Sequence, residues 1–236
     1  MNLDISVSQR VFIRAQYGIA SVLVVLALGF YLIEYVFHTN IITHILGVFD
    51  VGREDSIITW FSSFNLFISS MLLILIHVEA RKTGQDIHWY WLILGLLFLA
   101  FSIDEVALIH ERANRLKQYT GVPFAIIETH SWLLYAAIFV IFVFLFFIPF
   151  LNKIPRRTAV QFLLAGSIFL AGAVGFEFMG AVMLYTDFAE RSDLIYKLRR
   201  VLEEGCEMYG IVIFNCALLR EIALRNISLT IRTDRV

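Results

Sequence analysis

Six stretches of about twenty mostly apolar residues recur along the chain, and no other feature limits the fold as strongly. A helix rises 1.5 Å per residue, so roughly 20 residues cross the ~30 Å hydrocarbon core of a bilayer. In that medium every backbone N–H and C=O must be bonded within the segment, which leaves the helix as the natural solution for such runs. They extend from Tyr17 to Phe37, Ile57 to Val78, Trp89 to Ile109, Trp132 to Leu151, Ala159 to Leu184 and Val201 to Leu219. Glu203, Glu204 and Glu207 interrupt the last one, which reads as a sixth span or, alternatively, as a re-entrant or interfacial segment. The expected fold is all-α: a polytopic membrane protein built as one bundle of six transmembrane helices, occupying residues 1–236 without a separate soluble domain.

Composition agrees with that reading. The chain is 59% hydrophobic with only three prolines, and its mean hydropathy of +0.78 lies far above that of soluble domains. The formal net charge of -1 gives no global field for nucleic acid, so none is expected as a partner. Expected partners are the lipid bilayer and either a lipophilic substrate or other membrane subunits. Arg10 and Arg14 precede the first run, but it ends in YLIEYVFHTN with no small-residue cleavage site, so it reads as a retained helix. Cys206 and Cys216 lie ten residues apart on one helix, about 15 Å along its axis, too far to bond.

With the N-terminus inside, the inner segments hold eleven lysines and arginines and the outer segments eight. This bias predicts both termini in the cytoplasm, in a bacterial inner membrane. The connections 38–56 and 110–131 then lie outside, and Ile41 to Val48 is expected to form a short interfacial helix. Trp60, Trp89, Trp91 and Trp132 fall near span ends, as in an interfacial aromatic belt.

The informative residues are the acids. In SIDEVALIHER a membrane-grade run closes with Asp104, Glu105, His110 and Glu111. Glu128 and His130 precede the fourth run, Glu177 lies late in the fifth, and Glu203, Glu204 and Glu207 open the sixth. Threaded through a bilayer, all of these converge on the outer leaflet. The pairs Glu111 with Arg115, Arg199 with Glu203 and Arg200 with Glu204 sit at i,i+4 and read as ordinary surface ion pairs. Asp104, Glu177 and Glu207 have no base three or four residues away, and each is about six residues, roughly 9 Å, inside its helix end. A charge at that depth normally faces the bundle interior, so the three are expected to meet although 73 and 30 residues separate them in sequence. Ala173, Gly180 and Ala181 share a face with Glu177 and suggest a close helix contact there.

Carboxylates gathered in this way share protons, pair with Arg112, Arg199 or Arg200, or bind a cation. The predicted site therefore consists of Asp104, Glu105, His110, Glu111, Glu177, Glu203, Glu204 and Glu207 as ligands of a divalent metal ion, with Glu128, His130, Arg112 and Arg200 around them. No motif fixes the metal or a reaction. His110-Glu111 begins like H-E-x-x-H, but position 114 is Asn, and no E-x-x-H occurs. The expected function is an acidic, cation-binding membrane protein, as a metal-dependent enzyme on a lipid or lipophilic substrate. The alternatives are an accessory or scaffold subunit with a structural acid–arginine network, and a proton or cation transporter. Bare inner halves of the spans disfavour a pore.

Overall fold

The computed structural model describes residues 8–37, 47–53, 55–109 and 132–227. They form six long helices and no strand among the described residues: α1 (Gln9–Phe37), α2 (Ile57–Lys82), α3 (His88–Ala107), α4 (Trp132–Lys153), α5 (Arg156–Tyr185) and α6 (Leu194–Leu224). Five of them, α1 to α5, are long and apolar enough to cross a membrane. The sixth, α6, has 31 residues, ample length for a crossing, but charges at both of its ends keep it from qualifying on composition. The expected helix at Ile41 to Val48 lies largely outside the described residues; a single 3-10 turn, Gly47–Phe49, includes its last two positions.

Local chemistry sets the ends. Ser56 caps α2 by accepting from the Thr59 N–H at 3.1 Å. Beyond Lys82 the chain reverses through Gly84 at φ +72°, a conformation that glycine adopts without a Cβ penalty. Pro155 presets the backbone immediately before α5. Asp187 and Asn226, both near φ +52°, occupy the left-handed region that these two residue types tolerate after α5 and α6.

Packing is organised around α6, which contacts α1, α2 and α5, while α3 pairs with α2. On α1 the buried residues Gln16, Ala20, Leu23, Ala27, Phe30 and Tyr31 follow the helical period and face the bundle. One apolar cluster joins them to Ile58, Phe61, Val201, Met208 and Val212. A second surrounds Trp91, which is fully buried and packs edge-on against Phe150 at 4.8 Å. Trp91 is thus a core residue, not part of an interfacial belt; Trp60 and Trp89, by contrast, are exposed.

Between these clusters runs a buried polar stripe that hydropathy conceals. Ser63 donates to the Ser102 carbonyl at 2.8 Å and Ser102 returns the bond to the Ser63 carbonyl at 2.9 Å, tying α2 to α3. Ser69 donates to Asn215 at 2.7 Å, and Gln16 donates to Asn65, linking α1, α2 and α6. Small polar residues at helix contacts allow close approach and satisfy one another where water is absent.

At one end of the bundle Arg225 forms a clamp. Its guanidinium meets Glu221 at 2.9 Å, Glu79 at 2.8 Å and Gln85 at 3.0 Å, and lies 5.4 Å above the Trp91 ring. Thr158 of α5 donates to the other oxygen of Glu221 at 3.0 Å, so four helices share the network.

Candidate functional site

The opposite end holds the site. There α3, α5 and α6 converge, and α5 changes character: Ala171–Phe176 is a π-helical turn within an otherwise α-helical rod. Four of its six residues, AGAVGF, are alanine or glycine. A Cβ built on Gly172 would come within 2.6 Å of the Glu203 carbonyl oxygen, and one on Gly210 within 2.8 Å of the Phe169 backbone. Two backbones are therefore nearly in contact on the turns that carry the acids, which only glycine permits. The π turn places the extra residue just before Glu177 and lets α5 stay seated on α6 through this region.

A cavity of about 350 Å³ opens beside this contact. Its wall contains Asp104 and Glu105 from α3, Glu177 from α5, and Glu203, Glu204 and Glu207 from α6. Arg200 and Arg191 also line it, as do the apolar Phe101, Phe139, Val140 and Phe169. Asp104, Glu177 and Glu207 thus all line this cavity despite their separation in sequence. His110, Glu111, Arg112, Glu128 and His130 lie outside the described residues.

Arg199 forms the i,i+4 pair with Glu203 that helical spacing predicts, but inside the bundle instead of at its surface. As the i,i+4 partner of Glu203 it resembled half of a surface pair, yet it is only 4% exposed. One terminal nitrogen lies 2.7 Å from Glu203 and 3.6 Å from Glu177, and donates to the Phe176 carbonyl. The guanidinium stacks 4.8 Å from the Tyr196 ring centre, with Arg200 on the same ring at 5.3 Å. Gly180 makes room for it: a Cβ there would fall 2.7 Å from the guanidinium carbon. The small-residue face beside Glu177 therefore receives an arginine, and the carbonyl that accepts from it belongs to the last residue of the π turn. The spacing of Gly180 and Glu177 was visible in the sequence; that a base from α6 would fill the space was not.

The rim is held by shorter-range contacts. Tyr31 donates to Asp50 at 2.6 Å, which also accepts from the Gly52 N–H at 2.8 Å. Lys197 of α6 bridges to Glu34 of α1 at 2.7 Å. In the exposed connection, hydrogen bonding to the Arg53 guanidinium holds the Asp55 carboxyl below the usual carboxylate range.

Among the described residues no group of three or more His, Cys, Asp and Glu side chains is arranged to hold a metal ion. The arrangement instead provides a broad negative wall, one buried arginine bridging two of its acids, and an apolar flank.

A family model described as a domain of unknown function, DUF8692, matches residues 17–222, and the chain belongs to that family. No curated protein and no solved structure matches it.

Proposed function

We propose that this family member is a six-crossing membrane protein whose carboxylate-lined cavity binds a cation near the outer leaflet. The observation that supports this is the charge inventory of a single cavity. Its lining gathers six carboxylates from three helices, with Arg191 and Arg200 also lining it and Arg199 behind it held to two of the acids. Carboxylates gathered in a confined space share protons, pair with bases or bind a cation. A cation held there would be drawn by several carboxylates and released when they are neutralised.

The second reading, a subunit whose acids serve only a structural network, draws support from Arg199, since a guanidinium this buried is a packing element as well as a charge. An enzyme acting on a lipophilic substrate would use one of the same carboxylates as its base. Transport is less favoured: at the other end of the bundle Glu79 and Glu221 are both engaged by Arg225.

Thermal unfolding in neutral detergent separates the two main readings. Ethylammonium or Mg²⁺ is expected to raise the midpoint of the parent by about 2 to 4 °C, corresponding to roughly 1 kcal/mol of ligand linkage. Glu207→Gln, which removes one lining charge, is expected to lose most of that rise. A midpoint indifferent to both cations would favour the structural network.

Six crossings also fix topology. In a background with both native cysteines replaced by serine, Asp187→Cys is expected to react with impermeant maleimide from outside and Asn226→Cys from inside. Labelling of both positions from one side would mean that α6 does not cross.

A further inference from the structure

Most bases at the Arg225 end of the bundle are accounted for, and one is not. Arg225 is held by Glu79 and Glu221, while Arg10, Arg14, Arg81, Lys82, Arg156 and Arg157 are exposed and reach water. Arg220 of α6 differs. One terminal nitrogen of its guanidinium is shut off from solvent and makes no hydrogen bond, and the side chain forms no ion pair among the described residues. A sheltered charge without a counter-ion is costly, so such a base marks a place for an anion.

Helical spacing shows where Arg220 points. On α6, Tyr209, Ile213, Cys216 and Arg220 succeed one another at steps of three or four residues, a half-buried stripe along one face. On α1, Arg10, Arg14, Tyr17 and Ser21 form a stripe of the same kind. The two stripes meet where the Ser21 and Tyr209 hydroxyls hydrogen-bond at 2.7 Å and the Tyr17 and Tyr209 rings lie 6.2 Å apart. Nearer the helix ends, Gln9 donates to the Leu219 carbonyl at 3.2 Å, one residue from Arg220, so the first turns of α1 flank this base. From α5, Thr158 bonds to Glu221 at 3.0 Å, which brings Gln161 to the same level; its side-chain oxygen is also buried without a donor.

No acid on these three helices answers the bases. Among the described residues α1 has none before Glu34 and α5 none before Glu177, both toward the opposite end. Glu221, the one acid of α6 beyond Glu207, is engaged by Arg225 and Thr158.

We propose that the groove along α6 between α1 and α5 holds one anionic phospholipid, its phosphate on Arg220 with Arg14 beside it and an acyl chain along Cys216 and Ile213. A guanidinium offers phosphate two parallel N–H bonds, and basic pockets between spans suit such head groups. A lipid fits better than free phosphate because the stripe turns apolar one turn beyond Arg220, toward the middle of the bundle. This rests on the six-crossing reading, which puts the groove in the leaflet opposite the carboxylate cavity.

Native mass spectrometry of the protein in neutral detergent tests it with three probes: phosphatidylglycerol, phosphatidylcholine of the same acyl chains, and glycerophosphate. Phosphatidylglycerol is expected to give one retained adduct per chain, with occupancy at least about tenfold above that of phosphatidylcholine. Arg220→Gln should lower that occupancy about tenfold and Arg220→Lys less, with helical ellipticity unchanged. Arg81→Gln, which removes the same charge at the exposed end of α2, should leave it intact. Equal retention by Arg220→Gln and the parent would mean that Gln161 satisfies Arg220 within the bundle, and overturns the site. Equal losses from Arg220→Gln and Arg81→Gln reduce the effect to net charge and also overturn it. Displacement by glycerophosphate at equal concentration overturns the lipid in favour of free phosphate. All these outcomes are read in micelles, whichever way the groove faces, whereas labelling of Asn226→Cys reports separately on the crossing of α6.

Discussion

Replacing Arg199 by methionine is expected to destabilise the protein by about 3 to 5 kcal/mol, the usual consequence of removing one partner from a buried ion pair. The side chain is 4% exposed, and Glu203 at 2.7 Å and Glu177 at 3.6 Å both lose their shared base. Methionine fills much of the same stem volume, so the loss isolates the charge more than the packing. Combining the change with Glu203→Gln should return part of the loss, because the acid left uncompensated is then gone as well. Unfolding in mixed micelles, followed by helical ellipticity, reads all three variants. A single-variant loss below about 1 kcal/mol would mean that Arg199 is replaceable by solvent and that the network around Glu177 is weaker than its geometry implies.

The second large effect lies at the other end of the bundle. Trp91→Ala is expected to cost about 3 to 5 kcal/mol, since the ring is fully buried against Phe150 and Phe162 and its loss opens a cavity between α3, α4 and α5. It also removes the ring under Arg225, worth about 0.5 to 2 kcal/mol more. The indole nitrogen makes no hydrogen bond among the described residues, so Trp91→Phe should lose only part of the area and retain most of the stability. Unfolding midpoints of the two variants beside the parent check this. Equal losses for alanine and phenylalanine would show that the indole has a polar role.

These residues also show what hydropathy reveals and what it does not. The apolar runs located the helices because lipid-facing surface is read directly from side-chain type: α4 ends at Lys153, two residues beyond Leu151. Helix ends were less legible where the rod continues past the apolar run. On α1 the helix begins at Gln9, eight residues before Tyr17, and α6 begins at Leu194, seven before Val201. Polar helical turns outside an apolar phase leave no hydropathy signal. The same blindness hid the serine and asparagine stripe of α2, whose residues are too small to lower the mean of an apolar window.

The candidate site was legible in part for a specific reason. Deep acids without local partners are rare enough that Asp104, Glu177 and Glu207 could be singled out, and all three line the cavity. Helical spacing supplied the local partner of Arg199, Glu203, but gave no sign of the α5 backbone packed over it. The π turn was equally invisible: its small residues suggested a close contact, but an extra residue in a helical turn is a consequence of tertiary packing on Glu203 and Glu207. The expected metal ligands followed residue type and depth in the spans, whereas ligation depends on side-chain geometry, which sequence does not specify.

The most direct test of the account is isothermal titration of ethylammonium into purified, detergent-solubilised protein, beside Glu207→Gln. The account expects one saturable site per chain in the parent and an affinity at least about tenfold weaker in the variant, with helical content unchanged. No saturable heat in the parent, or equal affinity in the two proteins, would contradict a cation site in the carboxylate cavity.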